Sequence, residues 1–232
     1  VEQFAIDAPE LIGTGIYTFT GIDISLTVKE NDAHKVHYES SNYINKNVGS
    51  YTAVYKLESS NYKWNDGTTA DKTIDYKIEQ AGSSVTGLEI TSWTFNDAAI
   101  TPEYTVKTST GYAIPEKHVS ISFRKADSDT WTTISPSKWT TEGPHYAGDY
   151  YVKVSIGSDE NNNWAISESA EILLNIAKDD YDMSGVSWNY TSPFTFNDSD
   201  HTVSVTGTLP SGVTVKEYTG NVEENAGTYT AN

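Results

Sequence analysis

Five histidines, at positions 34, 37, 118, 145 and 201, are the first place to look for metal or acid–base chemistry, because the chain has no cysteine. Their spacings are not those of a zinc site, and no His-Glu-x-x-His motif occurs. No Gly-x-Ser-x-Gly elbow is present. Ser-x-x-Lys occurs at Ser60-Asn61-Tyr62-Lys63 and at Ser135-Pro136-Ser137-Lys138. Its partner motifs are missing, and both segments read as turns where that chemistry needs a helix. Glu142 with Glu223 and Glu224 could be set up as a glycosidase pair. In a chain with 32 acidic residues, such pairs are background. The sequence predicts no catalytic residues and no cofactor.

Binding chemistry has better candidates. Asp179, Asp180 and Asp182 lie at a module junction, where their oxygens could collect a calcium ion and stiffen the linker. Asp159-Glu160-Asn161-Asn162 and Asn197-Asp198-Ser199-Asp200 are further acidic clusters. None matches an EF-hand loop, and solvated turns explain them more simply. Among six tryptophans, Trp64, Trp93, Trp164 and Trp188 lie in repeating contexts that read as core. Trp131 and Trp139, each followed by Thr-Thr, are the candidates for an exposed platform that stacks on sugar rings. A Lys–Asn or Lys–Asp isopeptide bond would need a buried acid between its partners, which sequence does not reveal.

Charge narrows the partners. With 15 basic residues, one of them the single arginine Arg124, the net charge is −17. Such a chain repels phosphate backbones and anionic lipid surfaces, so neither nucleic acid nor a membrane is an expected partner. No stretch of 18 apolar residues occurs. Val1-Glu2-Gln3 shows no basic leader, and both ends read as cut, so the chain is expected to be a monomeric fragment of a longer protein.

The elements that must position these residues read as strands. Ile22, Ile24, Leu26 and Val28 alternate with polar residues, as do Tyr51 to Leu57, Ile74 to Ile78, Val119 to Phe123, Tyr150 to Ile156 and Ile172 to Ile176. Period-two alternation marks strands with one face on a core. No convincing helix pattern appears. With few leucines, 16 tyrosines and the tryptophans must supply the buried area.

The strands belong to repeats. Gly-x-Tyr recurs as Gly49-Ser50-Tyr51, Gly148-Asp149-Tyr150 and Gly227-Thr228-Tyr229. Tyr17-Thr18-Phe19 matches Trp93-Thr94-Phe95, and Thr94-Phe95-Asn96-Asp97 matches Thr195-Phe196-Asn197-Asp198. Val1-Glu2-Gln3 matches Ile78-Glu79-Gln80, and Asn61 to Trp64 matches Asn161 to Trp164. These anchors predict three modules, at 1–80, 81–177 and 178–232, joined by short polar linkers into an elongated rod. The second carries an insertion near Lys107 to Thr141, and the third stops before its final two strands.

A tyrosine after a glycine turn, at the start of a late strand, resembles the tyrosine corner of immunoglobulin-like sandwiches. Ala53, Val152 and Ala231 stand where antibody domains carry the second cysteine. Together with Ser60 to Thr73 and Asn225 to Thr230, these phrases resemble the MBG-type immunoglobulin-like repeats of Gram-positive cell-surface proteins. The resemblance implies an all-β fold of tandem sandwiches without disulfides and no catalytic residues. It implies extracellular or cell-wall display, and a stalk, spacer or adhesive role toward a host or glycan ligand. The alternative is a carbohydrate-binding accessory region of an extracellular enzyme.

Overall fold

The alternation around Tyr51 sets which side chains are buried. In the strand Gly49–Leu57, Ala53 and Tyr55 are buried, while Ser50, Thr52 and Lys56 face solvent. A computed structural model describes residues 1–29, 37–190 and 193–232, so His34 lies outside the described residues. The described residues form two compact units, Val1–Lys178 and Asp179–Asn232.

The first unit begins with β1 (Phe4–Ile6), β2 (Glu10–Leu11), β3 (Ile16–Thr18), β4 (Ile24–Ser25) and β5 (Val28–Lys29). It continues with β6 (Tyr38–Ser41), β7 (Ile44–Asn45), β8 (Gly49–Leu57), β9 (Tyr62–Trp64) and β10 (Lys72–Glu79). Then follow β11 (Ser83–Glu89), β12 (Trp93–Thr94), β13 (Glu103–Thr108), β14 (Val119–Lys125) and β15 (Thr132–Ile134). After a single helical turn, α1 (Trp139–Glu142), it closes with β16 (Gly148–Ile156), β17 (Ser167–Glu168) and β18 (Ile172–Ala177). The second unit holds β19 (Val186–Trp188), β20 (His201–Thr202), β21 (Val205–Gly207) and β22 (Val222–Glu223). The chain is all-β as expected. The helix escapes the sequence pattern because four residues are too few to show a 3.6-residue period.

Two sheets of the first unit are built alike. One has the order β3-β10-β8-β6, the other β12-β18-β16-β14-β15, with β17 beside β16. In each, the last strand runs antiparallel to the Gly-x-Tyr strand and parallel to an early strand. Ile78 thus lies opposite both Gly49 and Tyr17, and Ile176 opposite both Gly148 and Trp93. One buried cluster gathers Ile6, Leu26, Ala53, Tyr55, Trp64 and Tyr76. A larger one gathers Ile121, Val152, Val154, Ile156, Trp164 and Leu174, and it also takes in Phe19 and Ile78 from the first eighty residues.

A further ribbon repeats in register. Glu10 lies opposite Lys29, Thr86 opposite Thr105, and Ser187 opposite Thr206. The first two pairs are 76 positions apart and the next two 101, matching the offsets of the Phe19, Phe95 and Phe196 anchors.

Within the inserted stretch, β14 and β15 form an antiparallel edge with Ile121 opposite Ile134. Both face the core, at 0% and 8% exposure. Trp139 is 1% exposed, its ring edge-on to Phe123 and its indole N–H donated to the Ile100 carbonyl at 2.9 Å. It is a core residue. The expectation of an exposed platform fails there, because α1 folds the side chain under the sheet edge. Trp188 departs the other way: expected in a core, it is 36% exposed.

Candidate functional site

The acidic turn at 159–164 is where side-chain chemistry converges. Asn162 takes a left-handed conformation (φ 52°), which lets the chain fold back on Asp159. The Asp159 carboxylate accepts the Asn163 backbone N–H at 2.8 Å and its side-chain amide at 2.7 Å. That fixes the Asn163 carboxamide, which is 4% exposed. The same amide nitrogen donates to the Asn47 side-chain oxygen at 3.0 Å, and the Asn163 side-chain oxygen accepts the Val48 N–H at 2.8 Å. A buried amide with three of its four bonding positions filled is a structural clamp.

The clamp grips the Gly-x-Tyr phrase. The Tyr51 hydroxyl donates to the Asn47 carbonyl at 2.7 Å, and the Tyr150 hydroxyl donates to the Tyr146 carbonyl at 2.9 Å. In both, the ring reaches back four residues over the intervening glycine. A Cβ at Gly49 would lie 3.1 Å from the Tyr51 ring, a close contact. Burial pushes the Tyr150 hydroxyl above its ordinary pKa, with Asp127 adding to the shift.

Around the clamp, backbone and side chains join residues 1–80 to residues 81–177. Within residues 81–177, the Ala81 N–H donates to the Asn163 carbonyl at 3.1 Å and the Ala165 N–H donates to the Ala81 carbonyl at 2.9 Å. The Gln80 amide donates to the Asn162 and Trp164 carbonyls, at 3.0 and 3.1 Å. Gln3, its counterpart in the repeat, donates to the Ser60 carbonyl at 2.9 Å. Thr110 Oγ1 donates to the Phe19 carbonyl at 2.8 Å. Phe19, 1% exposed, meets Tyr112 edge-on at 5.3 Å and Trp164 at 6.0 Å. Gly21, at φ +82°, leaves room for Tyr112, whose ring occupies the place of any Cβ. The sequence missed Asn47, Val48, Phe19, Gly21 and Tyr112 as a group. Of the recurring pair, Gln80 reaches across the joint, while Gln3 bonds within residues 1–80.

The other candidates are scattered. Asp182 accepts the Ser184 N–H at 2.9 Å, which holds its carboxyl below the usual range. Asp179, Asp180 and Asp182 are not gathered for a cation, and among the described residues no three His, Asp or Glu side chains form such a group. Trp131 is half-buried, with the Arg124 guanidinium 5.2 Å and the Lys153 ammonium 4.8 Å from its ring centre. Those cations are held by Glu171 (3.3 Å) and Glu168 (3.0 Å). Glu142 pairs with Lys138 of the Ser135–Lys138 motif at 2.7 Å. His37 bonds Glu58, His118 abuts Trp164, His145 bonds the Thr141 carbonyl and His201 the Thr195 carbonyl. The arrangement can fix one sheet against another.

Comparison with known proteins gives no matching family model and no matching curated protein. No helix among the described residues is long and apolar enough to cross a membrane.

Proposed function

We propose that this chain is a non-enzymatic run of immunoglobulin-like sandwich modules, at 1–80, 81–177 and 178–232, in a bacterial cell-surface protein. Its work is that of a stalk or spacer that holds a binding region at a distance and carries load. The observation that supports this reading best is the joint at Asn163. It is built from buried polar bonds and an inserted Phe19, where a flexible tether would need neither. The bonds from Tyr51 and Tyr150 to carbonyls four residues upstream fit the tyrosine corner of such sandwiches.

Single-molecule pulling on the whole chain tests the reading. A load-bearing segment unfolds at reproducible force peaks, and residues 1–80 do not separate from 81–177 before either yields. Extension without a peak, or early separation at the joint, would count against it.

A further inference from the structure

The turn between β9 and β10 holds the one Asp-Gly pair of the sequence, Asp66-Gly67, and no Asn-Gly pair occurs. An Asp-Gly pair is reactive by itself. The glycine nitrogen, with no neighbouring side chain to hinder its approach, can attack the aspartate Cγ. A C–N bond forms, one carboxyl oxygen leaves as water, and a succinimide ring results. Water then opens the ring at either carbonyl, giving aspartate or isoaspartate, whose main chain is one CH2 longer. The attack needs an amide nitrogen free to turn toward Cγ. It also needs the neutral carboxyl, which loses an oxygen far more readily than the carboxylate does.

The fold withholds both. Gly67, left-handed at φ 83°, donates its N–H to the Trp64 carbonyl at 2.8 Å. One Asp66 carboxylate oxygen accepts the Thr68 backbone N–H at 2.9 Å and the Thr68 hydroxyl at 2.6 Å, and the other accepts the Lys72 ammonium. The Lys72 and Thr68 bonds are made to the ionised form and hold the carboxyl below its ordinary range. The turn is also tied to the core. The Trp64 N–H donates to the Thr68 carbonyl at 2.8 Å, and the Asn65 N–H donates to the Ile6 carbonyl at 2.8 Å. Trp64 is 1% exposed, with its indole N–H donated to the Ala70 carbonyl at 2.8 Å. Opening the turn therefore loosens a core side chain as well.

We propose that Asp66-Gly67 is an isoaspartate-forming modification site gated by unfolding: inert while the Thr68 and Lys72 bonds hold, reactive once the turn opens. Thr68 and Lys72 guard the site, and Trp64 couples it to the core. The added CH2 lies between Trp64 and Gly67, the two ends of one backbone bond, so the isomerised turn does not regain its native closure. A chain that has stayed open long enough to react is thereby marked. The inference stands on the chemistry of this turn and does not depend on the stalk reading.

The test is incubation of the full chain at neutral pH, native and unfolded in urea, followed by tryptic digestion. Chromatography of the peptide that carries residue 66 separates its aspartate and isoaspartate forms. The unfolded chain is expected to form isoaspartate at least about tenfold faster than the native chain. In the native chain, Lys72→Ala and Thr68→Val each raise the rate about threefold or more, with thermal melts confirming that the fold is kept. Thr52→Val deletes the Thr52–Asp75 bond elsewhere in the module and leaves the rate unchanged. Equal rates in the native and unfolded chains overturn the proposal. So does a native rate that neither Lys72→Ala nor Thr68→Val moves, or that Thr52→Val moves as much.

Discussion

The Asn163 side-chain amide donates to the Asn47 side-chain oxygen at 3.0 Å, joining residues 116 positions apart. Asn47 lies four residues before Tyr51 and receives its hydroxyl bond, so one short segment carries both the corner of the first sheet and the contact with the second.

Asn163→Ala removes the clamp and leaves the Val48 N–H and the Asn47 oxygen without their partner. The expected cost is about 1–3 kcal/mol in denaturant unfolding, because unmade buried bonds cost more than made ones contribute. Exchange should quicken first at Val48 and Ala81. Asn47→Ala should cost less, since Asn163 keeps its bonds to Asp159 and Val48.

Tyr150→Phe leaves the ring in place and deletes the bond to the Tyr146 carbonyl. Loss of about 0.5–1.5 kcal/mol is expected, and Tyr51→Phe should lose a similar amount. A double mutant should be close to additive if the two corners act independently, which thermal melts can check.

Alkaline pH should loosen the fold. Burial holds the Tyr76, Tyr104 and Tyr150 hydroxyls above their ordinary pKa, so folding favours the neutral phenols. That stability is fully present below about pH 10, the ordinary tyrosine value, and is lost as pH rises through the folded values. Melting temperature should fall above pH 10, less steeply in Tyr150→Phe. Asp66 has the opposite sign: its bonds from Lys72 and Thr68 depress it, so its contribution is lost only as pH falls below the ordinary carboxylate value. It is fully exposed, and Asp66→Asn should leave neutral stability nearly unchanged.

Much of this architecture was legible in the sequence. Alternation gave the strands because one face of each meets a core, and the Gly-x-Tyr phrase marked β8 and β16. The joint was not legible. Asn47 and Asn163 are ordinary loop residues until the fold brings them together, and local patterns carry no record of a contact across 116 positions. The acidic run at 159–162 read as a solvated turn with oxygens that a cation could use; the Asp159 oxygens are instead spent on Asn163. Trp139 misled because an insertion has no repeat partner to show its inward face, and Trp188, whose repeat context reads as core, is 36% exposed.

Trp139→Ala tests that correction. Removing a fully buried indole should cost about 3–5 kcal/mol, whereas Trp131→Ala should cost far less and leave the fold intact. Loss of any polysaccharide retention in the Trp139 variant would therefore report unfolding. Retention lost only in folded Trp131→Ala would revive a sugar-stacking role.

The central claim is that residues 1–80 and 81–177 form one body through the Asn163 clamp. Residual dipolar couplings on the whole chain test it most directly, with each set of amides fitted to its own alignment tensor. The account predicts a single shared tensor in the native chain, resolving into two of different magnitude in Asn163→Ala. Two distinct tensors in the native chain would contradict it.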